Sequence, residues 1–203
     1  MKLSPQHRLE HPQAKLNRRF FLPRLAREAY QGFAFVHWTM PVAARATGWL
    51  DDRFHARFRE LMLHVAVREN LLCPVYCLMP DHIHLVWMGL CADTDQKNGM
   101  AFFRTHLEPE LGGRKFQHQP HDHVLQEEER KQDQFANACG YILMNPVKDG
   151  LVTKPGEWKF SGCLLPGYPN LNFSDADFWP LFWRLYWKLR GGENQSLLTS
   201  AAT

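Results

Sequence analysis

Several features that would place a chain in a large class are missing here. There is no apolar run of the roughly 18 residues that a membrane-spanning helix needs, so no such span is expected. The N-terminal charges are not followed by the apolar core of a secretion signal, and the expected address is the cytoplasm. Five cysteines (Cys73, Cys77, Cys91, Cys139, Cys163) make an odd set without a Cys-x-x-Cys pair, which argues against a disulfide framework and for reduced, partly buried thiols. A zinc site mixing Cys73 or Cys77 with histidines lacks the usual spacing. Net charge is only +3, too little by itself to declare a partner.

The distribution of charge says more. Residues 1–27 carry seven Lys or Arg against one acid, Glu10, for +6, leaving −3 on the rest of the chain. A basic arm on a mildly acidic body suits a polyanion, and Arg18, Arg19, Arg24 and Arg27 are the candidate contacts. The 203 residues, 45% of them apolar, suffice for one domain with a core plus extensions.

The most informative stretch is Tyr76-Cys77-Leu78-Met79-Pro80-Asp81-His82-Ile83-His84-Leu85-Val86-Trp87. It reads as a hairpin: one strand from Val75 to Met79, a turn at Pro80-Asp81, and a second strand from His82 to Met88. Strand side chains alternate between faces, so His82, His84 and Val86 point one way and Ile83, Leu85 and Trp87 the other. The second set requires a core. The first presents two imidazoles spaced for one ion, although an isolated His-x-His is more often a pair of half-exposed strand histidines.

Around the hairpin, Tyr30 to Met40 is expected to be a strand ended by Pro41. A helix capped by Asp51 or Asp52 carries Phe54, Phe58, Leu61, Met62 and Val65 at helical spacing and ends near Asn70. Pro74 belongs at a strand start or an edge. A short helix spans Met100 to Leu107 and stops before Pro109. Residues 112–125 hold His118, His121 and His123. They read as a loop approaching a site rather than as a metal-binding tract, with Val124-Leu125 touching a strand. A helix opens at Glu127-Glu128-Glu129 and has its last turn around Tyr141 to Asn145, ahead of Pro146. There a phenol and an amide lie four residues apart on one face. Near the C-terminus Trp179, Trp183 and Trp187 form a stripe on a helix starting at Pro180, expected to pack on the domain.

The pieces MPDHIHLVW (79–87), HDHVL (121–125), YILMNPVKDGLV (141–152) and EWKFS (157–161) occur in that order. Together they resemble the single-tyrosine HUH transposases of the insertion-sequence-200-like group, most closely the REP-associated tyrosine transposases. Those proteins show a Pro-Asp/Glu-His-hydrophobic-His hairpin, a Tyr-Ile-x-x-Asn-Pro-Val helix end and a Trp-x-Tyr/Phe-Ser motif. The resemblance covers about residues 24–165, and Phe160 stands where Tyr is common.

The resemblance implies an α+β fold, a ferredoxin-like antiparallel sheet with helices packed on one face. Together with the composition of the two ends, its extent divides the chain into a basic N-terminal extension (1–23), a catalytic domain (24–165), and an aromatic C-terminal helix with a disordered tail (166–203). It implies His82, His84 and Asn145 as ligands of a magnesium or manganese ion, Tyr141 as the nucleophile, and Asp81 as a carboxylate orienting an imidazole. The implied activity is metal-dependent cleavage and strand transfer of single-stranded DNA hairpins or palindromic repeats through a 5′-phosphotyrosine, by a monomer or a homodimer. Two rivals are a DNA-hairpin-binding regulator that does not cleave, and a zinc hydrolase built on His82, His84 and a histidine from 118–123. The transposase reading makes a geometric demand: the Tyr141–Asn145 turn must pack on the imidazole side of the hairpin, not on the Ile83/Leu85/Trp87 side.

Overall fold

The computed structural model describes residues 25–169 and 171–190. The basic residues Arg18, Arg19 and Arg24 and the expected disordered tail lie outside them. The strands are β1 (Phe35–Pro41), β2 (Leu71–Met79), β3 (His82–Gly89), β4 (His121–Val124) and β5 (Ser161–Leu164). They form one antiparallel sheet in the order β4-β1-β3-β2-β5. The helices are α1 (Asp52–Arg68), α2 (Gln96–Leu107), α3 (Gln132–Leu143), α4 (Asn145–Lys148) and α5 (Phe178–Arg190). The first four strands with α1 and α2 are the ferredoxin-like arrangement, and β5 extends its β2 edge. None of the helices among the described residues is long and apolar enough to cross a membrane.

Local chemistry explains most boundaries. Asp51 caps α1 by accepting from the Phe54 N–H at 2.7 Å, and Asp95 caps α2 through the Lys97 and Asn98 N–H groups. α2 therefore begins four residues earlier than its apolar pattern suggests. β1 begins at Phe35 rather than Tyr30, because Tyr30 closes a 3-10 turn and Gly32 turns the chain at φ +61°. Pro74 falls inside β2 rather than at its start. The ladders to β3 and β5 both shift register around it, and the bulge accommodates the missing donor.

The helices cover both faces of the sheet, not one. Trp38, Tyr76, Leu78, Ile83, Leu85 and Trp87 pack under α1 and α2 with Phe54, Phe58, Met100 and Phe103. Phe35, Val75, Cys77, Met79, Val86 and Met88 pack under α3 and α5 with Phe135, Cys139, Ile142, Phe182 and Tyr186. The reason is in the strands: β2 is buried along its whole length and β3 is apolar on both sides beyond His84, so either face left bare would expose a core. α5 starts at Phe178, and its buried face is Phe178, Phe182, Trp183, Leu185, Tyr186 and Leu189. Of the tryptophan stripe only Trp183 is buried, while Trp187 is 53% exposed.

Candidate active site

β3 places His82 opposite Pro41 and Met79, and His84 opposite Thr39 and Cys77. The two rings meet nearly at right angles, with their Nε2 atoms 2.9 Å apart. Two ligands at neighbouring positions around a cation with bonds near 2.1 Å are separated by about 3 Å, so this spacing suits a shared ion. Two bare lone pairs facing each other at such a distance repel. Either a proton or a cation must sit between them.

The far nitrogens are tethered. His82 Nδ1 donates to Asp81 Oδ1 at 2.5 Å. His84 Nδ1 lies 3.1 Å from Thr39 Oγ1 and 3.1 Å from His37 Nε2. A carboxylate or hydroxyl behind each ring fixes its orientation and leaves Nε2 as the outward donor atom. Burial, with the neighbouring His37, His82 and Arg45, pushes the His84 pKa down to about 3. Burial and His123 push His37 to about 4, so both rings are neutral near pH 7. Burial alone would raise the Asp81 carboxyl. The hydrogen bond from His82 and the Arg45 guanidinium outweigh it and hold the acid below its ordinary range.

The helix that carries Tyr141 covers the same face. α3 buries Phe135, Cys139, Ile142 and Leu143 against the Cys77/Met79/Val86 side of the sheet. Tyr141, in its last turn, points away from that contact and is 64% exposed. Its hydroxyl donates to no described residue, and Lys148 Nζ lies 3.0 Å from its ring centroid. The helix does not run on to Asn145 as its sequence suggests. It ends at Leu143, and Asn145 opens the separate turn α4. Pro146 is the cause. It has no N–H for the Ile142 carbonyl, and Asn145 Nδ2 takes that place at 2.9 Å. The amide nitrogen caps α3, and Oδ1 takes no part in that contact.

The EWKFS segment braces the hairpin. Trp158 Nε1 donates to the Leu78 carbonyl at 2.9 Å, and the Leu78 N–H donates to the Phe160 carbonyl at 2.9 Å. Tyr76 belongs to the other face. It is buried, its hydroxyl is held by Arg59 at 2.7 Å and His55 at 2.9 Å, and burial pushes its pKa up to about 12. Arg27 bonds Asp95 at 2.7 Å and Asn98 at 2.6 Å, bracing the start of α2.

The three-histidine zinc site of the hydrolase reading is not assembled. His121 and His123 are strand residues, not loop residues. They lie across β1 from β3, opposite Thr39 and His37, and His123 Nε2 contacts Glu129 at 2.7 Å. Among the described residues no three His, Cys, Asp or Glu side chains come together to hold a metal. Cys73 and Cys77 are buried, and burial raises both thiols. The metal-ligating atoms that the fold brings together are therefore the two imidazole nitrogens His82 Nε2 and His84 Nε2.

Sequence reasoning missed His37, Thr39 and Arg45. Alternation along β1 puts His37 and Thr39 on one face, a signal that was available, but only the β1–β3 register shows that this is the face of His84.

The sequence matches no protein-family model and no curated protein. In fold it is similar to a REP-associated tyrosine transposase whose structure was solved bound to a REP hairpin. The TM-score is 0.59 over 69% of this chain and 82% of that one, with 20% of residues identical.

Proposed function

We propose that this protein cleaves and rejoins single-stranded DNA beside a hairpin, through a covalent bond to Tyr141. The observation that carries the reading is the convergence of His82 and His84 Nε2 at 2.9 Å on the sheet face that α3 covers, the helix bearing an exposed Tyr141. The fold it shares with a hairpin-bound transposase supports the same reading.

In this mechanism His82, His84 and Asn145 Oδ1 would hold a magnesium or manganese ion. When bound, it supplies positive charge to the phosphoryl oxygens. Asp81 and Thr39 keep the two imidazoles turned outward. The Tyr141 oxygen attacks phosphorus as its proton passes to water, and the ammonium of Lys148 steadies the oxygen as it loses that proton. The Tyr141 O–P bond forms, the P–O3′ bond breaks, and the departing 3′ oxygen takes a proton. The 5′ phosphate stays on the tyrosine, and attack by a second 3′-OH reverses the step without ATP. The basic N-terminal arm follows the DNA backbone.

The test is incubation with hairpins carrying single-stranded tails, taken from DNA flanking the gene, with manganese present. A denaturation-resistant adduct is expected, located on Tyr141 by mass spectrometry and absent in Tyr141→Phe. An adduct that survives Tyr141→Phe overturns the mechanism. Hairpin binding without an adduct across a broad panel would support the regulator instead.

A further inference from the structure

Arg45 occupies an unusual place. β1 ends at Pro41, opposite His82, and the chain then turns through Ala44 (φ 54°, ψ 21°) and Arg45 (φ 52°). Two successive residues with side chains thus adopt the left-handed region, which glycine enters freely and alanine and arginine do not. The surroundings enforce it. The Val42 N–H donates to the Asp81 carbonyl at 2.9 Å, the Ala43 N–H to the Lys115 carbonyl at 2.8 Å, and the Gln117 N–H to the Pro41 carbonyl at 2.8 Å. The turn is pinned between the histidine hairpin and the segment leading into β4.

The outcome of this turn is the direction of one guanidinium. Arg45 Nη1 donates to Asp81 Oδ2 at 3.1 Å, while the other oxygen of that carboxylate holds His82 Nδ1. The side chain is 59% exposed, and its Nε and Nη2 groups donate to none of the described residues. A guanidinium present only to neutralise Asp81 has no need of a forced backbone or an open fork of donors. A planar fork with free N–H groups at the mouth of a phosphodiester site matches a phosphate. Strained backbone held in place by its neighbours is common where a side chain has to be aimed.

We infer that Arg45 is a substrate-contacting residue that grips a phosphate of the single strand leading from the hairpin into the His82/His84 face. Asp81 then serves two partners at once, turning the imidazole with one oxygen and the guanidinium with the other. The inference rests on the DNA-hairpin reading above, and it concerns the unpaired strand rather than the hairpin stem.

The experiment is equilibrium binding in EDTA, so that neither metal nor cleavage enters. Two DNAs are compared, a bare hairpin and the same hairpin with a single-stranded tail, against the wild type, Arg45→Ala and Arg45→Gln. The tail is expected to tighten wild-type binding. Arg45→Ala should weaken the tailed DNA about tenfold, lower its salt slope by about 0.7, and leave the bare hairpin unchanged. Arg45→Gln keeps a donor for Asp81 but no charge, and should lose as much as Ala. The contact is overturned if Gln binds like wild type, if both DNAs weaken alike, or if the tail adds nothing to wild-type affinity. Failure of the wild type to bind any hairpin counts against the proposed function itself, whereas a wild type matched by Arg45→Ala removes only this contact.

Discussion

The Nε2 atoms of His82 and His84 face each other at 2.9 Å, each ring held from behind by a different strand or turn. His82 leans on Asp81 in its own hairpin, and His84 on Thr39 and His37 of β1. Under the proposed function, such a pair would take up a cation without rearrangement. Manganese should raise the melting temperature of the wild type by several degrees, as expected for a ligand that binds only the folded state. The shift should vanish in His84→Ala. An equal shift in that variant would place the ion elsewhere.

Asp81 should govern how tightly the ion is held. Asp81→Asn removes the charge behind His82 and is expected to raise the manganese concentration for half-maximal thermal stabilisation about 10- to 100-fold. Titration of melting temperature against manganese measures this, and an unchanged midpoint would show that Asp81 serves only the turn.

Two glycines should differ sharply. A Cβ at Gly162 would sit 2.9 Å from the Tyr76 hydroxyl oxygen, which Arg59 and His55 hold in place. Gly162→Ala should therefore cost about 1–3 kcal/mol. A Cβ at Gly89 would sit 1.8 Å from the Gly32 carbonyl oxygen, where only backbone can yield. Gly89→Ala should be the more damaging of the two in thermal melts. The reverse order would contradict the packing of Gly32 over the end of β3.

Stability should fall in mild acid. Burial pushes His37 and His55 down to about 4, with help from His123 and Arg59 respectively. The unfolded chain takes up protons on these groups near pH 6.5, before the folded chain does. Their contribution is complete above that pH and is lost as pH falls toward about 4. Urea midpoints should drop between pH 7.5 and pH 4.5, and less so in His55→Gln. A flat profile would mean that the two rings are far more open to water than the structure shows.

α5 offers a test of which side carries its stability. Phe182 is fully buried among Phe178, Trp179 and Trp183. Phe182→Ala should cost about 3–5 kcal/mol. Trp187 is exposed and has Arg190 over its ring at 5.2 Å. Trp187→Ala should cost no more than about 1 kcal/mol. Equal losses in chemical denaturation would imply that the tryptophan stripe, not the phenylalanine face, is the buried one.

The sequence by itself determined the local pieces. Alternation in the hairpin settled that His82 and His84 share a face, since a strand offers only two. Asp51 and the apolar spacing from Phe54 to Val65 specified α1. The ordered motifs around His82, Tyr141 and Trp158 pointed to the fold. Boundaries failed for local and for distant reasons. Gly32 turns the chain just before β1 and Pro146 ends α3 at Leu143, two residues short of Asn145, whereas the bulge at Pro74 is tolerated because the ladders to two other strands both shift.

Tertiary structure alone decided what lies around the histidines. The β1–β3 register brings Thr39 and His37 behind His84, and the turn after β1 aims Arg45 at Asp81. It also decided that α3 and α5 cover a second apolar face, because burial on both sides of β2 is a property of the assembled sheet and not of any one strand. Side-chain period is local, and sequence carries it. Which strand becomes whose neighbour depends on how all the apolar faces are covered at once, and that emerges only in the folded chain.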